Sequence, residues 1–139
     1  MNNIIESFKK INSNINKLSL QQKINIVAVS KTFSLEHIKP LIEHGHNHYG
    51  ENRVQEAVTK WRDLKSNNNK LKLHLIGKLQ TNKAKDAIKL FDYIHSVDSQ
   101  KLADVLSKHQ TNLNKRLKYF IQVNICLLYT SPSPRDDEL

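Results

Sequence analysis

Lys31 closes a run of mostly apolar residues, Ile24-Asn25-Ile26-Val27-Ala28-Val29-Ser30-Lys31, that gives way abruptly to polar sequence. A primary amine at the end of a buried strand has chemistry that a solvated lysine lacks. Desolvation disfavours the ammonium form, and the free base attacks a carbonyl, so such a lysine suits a Schiff base with an aldehyde. Spacing alone favours the plainer reading of a strand-terminal lysine reaching into water. The run reads as a strand buried on both faces. A period of two sends Asn25, Val27, Val29 and Lys31 to one face and Ile24, Ile26, Ala28 and Ser30 to the other. In open α/β sheets and in barrels, ligands bind at the carboxyl ends of such strands.

Two other groups of residues could do chemistry. His44, His46 and His48 alternate, and histidines at i and i+2 can share a face. No cysteine or acid stands at ligand spacing beside them, so a metal site is not expected. Gly50-Glu51-Asn52-Arg53-Val54-Gln55-Glu56 combines a glycine that permits close backbone approach, Asn52 as a helix cap, and Glu56 in the first turns. On its own this is a capped strand-to-helix junction.

These residues need elements to hold them. Ile4, Ile5, Phe8, Ile11, Ile15 and Leu18 give Asn2 to Leu18 the stripe of an amphipathic helix. After Lys31, Ser34 is a plausible cap for a helix carrying Leu35, Ile38, Leu41 and Ile42, which ends near Gly45 and is kinked or shortened by Pro40. His48–Glu51 reads as a second strand, followed by a helix through Val54, Ala57, Val58, Trp61 and Leu64. Leu71–Ile76 is a third strand, with a helix containing Ala84, Ala87, Ile88 and Phe91 after it. Tyr93–Val97 is a fourth, with Asp98 or Ser99 capping a helix through Leu102, Val105 and Leu106. Lys118–Ile125 is a fifth. Strands alternating with helices call for a parallel sheet joined by right-handed crossovers. Alternation alone does not separate an open sheet from a barrel. Neither a G-x-G-x-x-G after the first strand nor a G-x-x-x-x-G-K-[ST] occurs.

The chain has 139 residues and a formal net charge of +9, with a pI near 9.7. Its lysines are scattered and no aromatic-interleaved basic stripe is present, so nucleic acid is not the expected partner. A single cysteine, Cys126, excludes an internal disulfide and suits a reducing compartment. The first residues lack a secretory pattern and no apolar run reaches membrane-spanning length, so a cytoplasmic protein without a membrane partner is expected. From Cys126 the periodicity stops and Ser-Pro pairs appear. Residues 1–125 therefore read as one folded unit and 126–139 as a flexible, non-native-looking tail.

Four motifs occur in order: Val27-Ala28-Val29-Ser30-Lys31-Thr32, Tyr49-Gly50-Glu51-Asn52-Arg53-Val54-Gln55-Glu56-Ala57, His74-Leu75-Ile76-Gly77-Lys78-Leu79-Gln80-Thr81-Asn82-Lys83, and His95-Ser96-Val97-Asp98. With them the chain resembles the pyridoxal 5′-phosphate homeostasis protein family (YggS- and PROSC-type) over roughly Ile4 to Ile125. The resemblance implies a partial (β/α) TIM barrel like the alanine racemase N-terminal domain, truncated after about the fifth strand. It implies pyridoxal 5′-phosphate (PLP) held as a Schiff base on Lys31, with Asn52 and His74 also facing the cofactor. It implies a carrier or regulator without turnover of its own, whose partners are PLP and PLP-dependent apoenzymes. The rival reading is a fragment of a fold-type-III PLP enzyme, racemase-like or decarboxylase-like. Since a (β/α)₈ barrel takes about 250 residues and binds phosphate after strands 7 and 8, the 139-residue chain is expected to fold poorly alone and to bind PLP weakly.

Overall fold

The computed structural model describes residues 3–18 and 23–123. Its elements run α1 (Asn3–Lys17), β1 (Ala28–Val29), α2 (Leu35–Glu43), β2 (His48–Glu51) and α3 (Val54–Asn67). They continue with β3 (Lys72–Leu75), a 3-10 turn (Thr81–Lys83), α4 (Ala84–Leu90), β4 (Tyr93–Val97), α5 (Gln100–Asn112) and β5 (Lys118–Ile121). The sheet order is β1-β2-β3-β4-β5 and every pairing is parallel. Each strand pairs with the next in sequence, which is the winding of a barrel wall rather than of a sheet whose strand order reverses.

Strand parity divides the sheet into two unlike faces. Tyr49, Leu73, Leu75 and Ile94 are fully buried, together with Ala57, Trp61, Ala84, Ala87 and Ile88 of α3 and α4. This is the helix-covered core, and Tyr49 and Trp61 meet there with ring centroids 5.0 Å apart. The opposite face carries His48, Gly50 and Asn52 from the β2 strip, with His74 and Ile76 beside them. In register, Val29 lies against Gly50, Gly50 against His74, His74 against Tyr93 and Tyr93 against Lys118. Helices close one face, and the other is the inner face of the curved wall.

Two local expectations change. The first apolar run forms only the two-residue β1, which is an edge strand with one neighbour, so Val29 is 50% exposed rather than buried. Asn52 does not cap α3: the N-cap is Arg53, which makes no side-chain capping bond. Pro40 lies within the nine-residue α2 without ending it, and the helix stops at Glu43, just before Gly45 at φ +104°. Ser34 does cap α2, accepting from the His37 N–H, and Ser99 caps α5, accepting from Leu102. Asn124, Ile125 and the expected tail 126–139 lie outside the described residues. Among the described residues, no helix is long and apolar enough to cross a membrane.

The loops after β2 and β3 touch at backbone distance. A Cβ on Gly77 would lie 2.2 Å from the Asn52 carbonyl oxygen and 2.7 Å from its Oδ1, whereas a Cβ on Gly50 would meet only side-chain carbons of Val27 and Ile76 at 3.3–3.5 Å. Backbone cannot yield as side-chain tips can. Gly77→Ala is therefore expected to cost about 2 kcal/mol or more in urea unfolding, and Gly50→Ala clearly less. Equal costs would show that the Gly77–Asn52 contact does not constrain the fold.

Candidate functional site

Lys31 follows Ser30 at the carboxyl end of β1, and Ser30 is among the most firmly held residues of the strand edge. Its N–H donates to the Gly50 carbonyl at 2.9 Å, and its carbonyl accepts from the Phe33 N–H at 3.2 Å. The Ser30 hydroxyl donates to Glu51 Oε2 at 2.5 Å, and the Lys60 ammonium donates to the Ser30 carbonyl at 2.6 Å. The Ser30–Phe33 bond closes a tight turn in which Thr32 takes φ +69°. That angle belongs at the third position of a type II turn, usually to glycine, and a β-branched residue adopts it only under constraint. The anchored strand end and this turn set the direction in which Lys31 leaves the sheet.

Glu51 is the centre of this anchoring. Only 1% exposed, its Oε2 accepts from Ser30 Oγ, from Lys60 Nζ at 3.0 Å and from Trp61 Nε1 at 3.0 Å. A buried carboxylate is tolerated when paired and hydrogen-bonded, and here an ammonium and two neutral donors converge on one of its oxygens. The cluster ties β1, β2 and α3 together directly behind Lys31. Sequence reasoning missed it. The available signal was a glutamate at an outward, core-facing position of β2, followed at helical spacing by adjacent Lys60 and Trp61.

The three expected site residues are placed differently. Lys31 is exposed on the open rim, so the apolar mouth expected around it is not formed by the described residues. Asn52 is half-buried one step beyond β2, on the same face, packed over Gly77. Because Val29 pairs with Gly50, Lys31 and Asn52 leave neighbouring strands at the same level. His74 lies lower on that face, 5% exposed, with both ring nitrogens engaged.

His74 is the middle of a histidine ladder. His48 Nδ1 stands 2.9 Å from His74 Nε2, and His74 Nδ1 stands 2.9 Å from His95 Nε2. Tyr93 stacks on His74 at 4.1 Å and Phe120 on His95 at 4.5 Å. Burial, reinforced by His95 and His48 and opposed by Asp92, pushes His74 down from 6.5 to about 4. His48 and His95 are lowered as well, chiefly by burial. At neutral pH His74 therefore carries one ring proton, donating on one side and accepting on the other. The ladder was not foreseen, although histidines in three successive strands signalled it.

The comparisons decide what this wall belongs to. Residues 7–127 match the family described as "Alanine racemase, N-terminal domain". The chain is 38% identical over 130 residues to the pyridoxal phosphate homeostasis protein of Buchnera aphidicola subsp. Baizongia pistaciae, covering 90% of this chain and 56% of that one. Against the protein of that name from Pasteurella multocida, identity is 35% over 127 residues, covering 88% and 54%. The chain belongs to the pyridoxal phosphate homeostasis protein family. Among solved structures it is similar to PipY of Synechococcus elongatus PCC7942 without PLP, with TM-score 0.71, 38% identity, and coverage of 88% of this chain and 55% of that one. PipY with PLP bound gives TM-score 0.69 at 38% identity, covering 81% and 54%. Alanine racemase of Clostridium difficile 630 with cycloserine, at 19% identity and TM-score 0.60 over 93% of this chain and 33% of that one, shares the fold. The chain spans about half the length of the curated relatives it matches.

Two measurements check the site. Glu51→Ala leaves the Lys60 ammonium, 13% exposed, without its partner, and should cost about 3–5 kcal/mol; adding Lys60→Met should recover part of it. No recovery in the double-mutant cycle would mean that the pair is not coupled. For the ladder, the folded pKa of His74 lies below its unfolded value of 6.5, so the unfolded chain binds more protons between the two. Stability is therefore full above pH 6.5 and falls as pH drops towards 4, by on the order of 3 kcal/mol from His74. His74→Gln should flatten that slope in pH-dependent urea unfolding, and an unchanged slope would contradict the assignment.

Proposed function

We propose that the chain holds PLP as a Schiff base on Lys31 and serves PLP homeostasis in the cytoplasm, without turnover of its own. The observation that carries this is an accessible amine at the carboxyl end of the first strand, behind which Ser30 is fixed by the Glu51–Lys60–Trp61 cluster. It is supported by the bound PLP of PipY, 38% identical to this chain.

The residues present fit part of the cofactor's needs. Lys31 supplies the amine, Asn52 lines the neighbouring strand end, and His74 belongs to the neutral imidazole wall below them. Bound PLP would supply an aldehyde that links reversibly to an amine, which permits storage and release to PLP-dependent apoenzymes. Lys31 needs only to be reachable and consistently placed, and the Ser30 anchor provides the second. The rival reading as part of a PLP enzyme rests on fold alone, since the alanine racemase structures are 19–21% identical.

The test is covalent mapping. After incubation with PLP and reduction with borohydride, peptide mass analysis should find the pyridoxyl adduct predominantly on Lys31. Lys31→Ala should remove it while circular dichroism stays unchanged, because the side chain is exposed. Adducts spread evenly over the surface lysines would overturn the proposal.

A further inference from the structure

Two of the four sequence motifs, those containing Gly50–Ala57 and His74–Lys83, meet around a cavity of about 320 Å³ beyond the carboxyl ends of β2 and β3. Arg53, Lys78 and Lys83 bring three cations to it, and Gln55 and Gln80 bring two carboxamides. No acidic side chain among the described residues lines it. Glu56 reaches Arg53 only at 3.8 Å, with both side chains largely exposed, so it offsets little of the charge. Three like charges gathered in a concavity repel one another, and the concave wall concentrates their field on whatever enters.

The backbone around the cavity is fixed. Gly77 packs against Asn52 so closely that a Cβ would not fit. The Ile76 N–H donates to the Glu51 carbonyl at 2.9 Å, and the Ser96 hydroxyl to the Gly77 carbonyl at 2.7 Å. Leu79, 4% exposed, anchors the floor. The loops that carry the cations are thus already ordered, so a ligand has only the exposed side chains of Arg53 and Lys78 and the partly exposed Lys83 to order. A guanidinium fork suits paired oxygens, and two ammonium groups add point charges. The volume lies at the small end for ligand sites.

We infer that this cleft is an anion site for phosphate, as inorganic phosphate or the phosphate group of a small monoester, separate from Lys31. It takes its ligand by charge and hydrogen bonding, with no covalent step, and so does not depend on the Schiff-base reading.

The test is amide-resolved NMR titration of the chain with inorganic phosphate, glycerol phosphate and succinate at constant ionic strength. Saturable shifts at Gln55, Gln80 and their neighbours are expected with the two phosphates. Lys78→Ala/Lys83→Ala should weaken them about tenfold or more, a loss of roughly 1.4 kcal/mol. The charge-matched Lys101→Ala/Lys108→Ala, at exposed positions of α5, should leave them unchanged, as should Lys31→Ala. Glycerol phosphate has no aldehyde, so its binding separates this site from the proposed cofactor lysine. Absence of saturable shifts, or equal weakening by both double variants, would overturn the site. Equal binding of succinate would overturn its assignment to phosphate, and a glycerol phosphate response without one to inorganic phosphate would overturn the shared-phosphate assignment.

Discussion

The Glu51 carboxylate is the interaction on which the working end of this sheet depends. β1 is two residues long and has one hydrogen-bonded neighbour, so its ladder alone gives little hold on the residues beyond it. Glu51 compensates from behind by accepting from Ser30, Lys60 and Trp61 at once. Lys60 closes the loop by donating to the Ser30 carbonyl. Burying one carboxylate is costly in isolation. Shared among three donors, Ser30 just beyond β1 and Lys60 and Trp61 of α3, it defines where β1 ends and where Lys31 begins.

A second polar staple repeats the device farther along. Asp92 accepts from the Leu73 N–H at 2.9 Å and from Lys65 at 2.6 Å, and Lys65 also donates to the Leu90 carbonyl. Helix α3 is thereby pinned at its middle, by Lys60 to the β1–β2 edge, and in its last turn, by Lys65 to the turn before β4. Between these pins the packing is apolar, around Trp61. The inner face is built differently, from imidazoles, Tyr93, Phe120 and Lys118. Lys118 lies 5.8 Å over the Tyr93 ring. Helix packing supports the wall from outside, while the inner face provides polar and stacking surfaces.

The alternation of elements was legible because each strand is a short apolar run bounded by turn residues and each helix shows its stripe. β2 and β4 fall within the expected residues, at His48–Glu51 and Tyr93–Val97. The burial of the first run was misread because an apolar pattern cannot reveal whether a strand has neighbours on both sides. The Asn52 cap failed for a different reason: local capping preference lost to a tertiary contact, the packing of Asn52 over Gly77. The position of Lys31 at a strand end was legible from the apolar run that stops there. Glu51, Lys60 and Trp61 were missed because their partnership spans β2, α3 and Ser30 and becomes visible only when parity and helix phase are known together.

The most direct measurement is native-state hydrogen exchange of the Ser30 amide in the unaltered chain and in Glu51→Gln, which removes the charge while keeping the shape. The Ser30 N–H donates to Gly50, so it reports whether the β1 edge stays docked. If Glu51 holds that edge, Ser30 loses protection in the variant by at least about tenfold, or roughly 1.4 kcal/mol, while Leu73 and Leu75 in β3 change much less. Equal loss at all three would assign Glu51 to general stability, and unchanged Ser30 protection would contradict its role in placing Lys31.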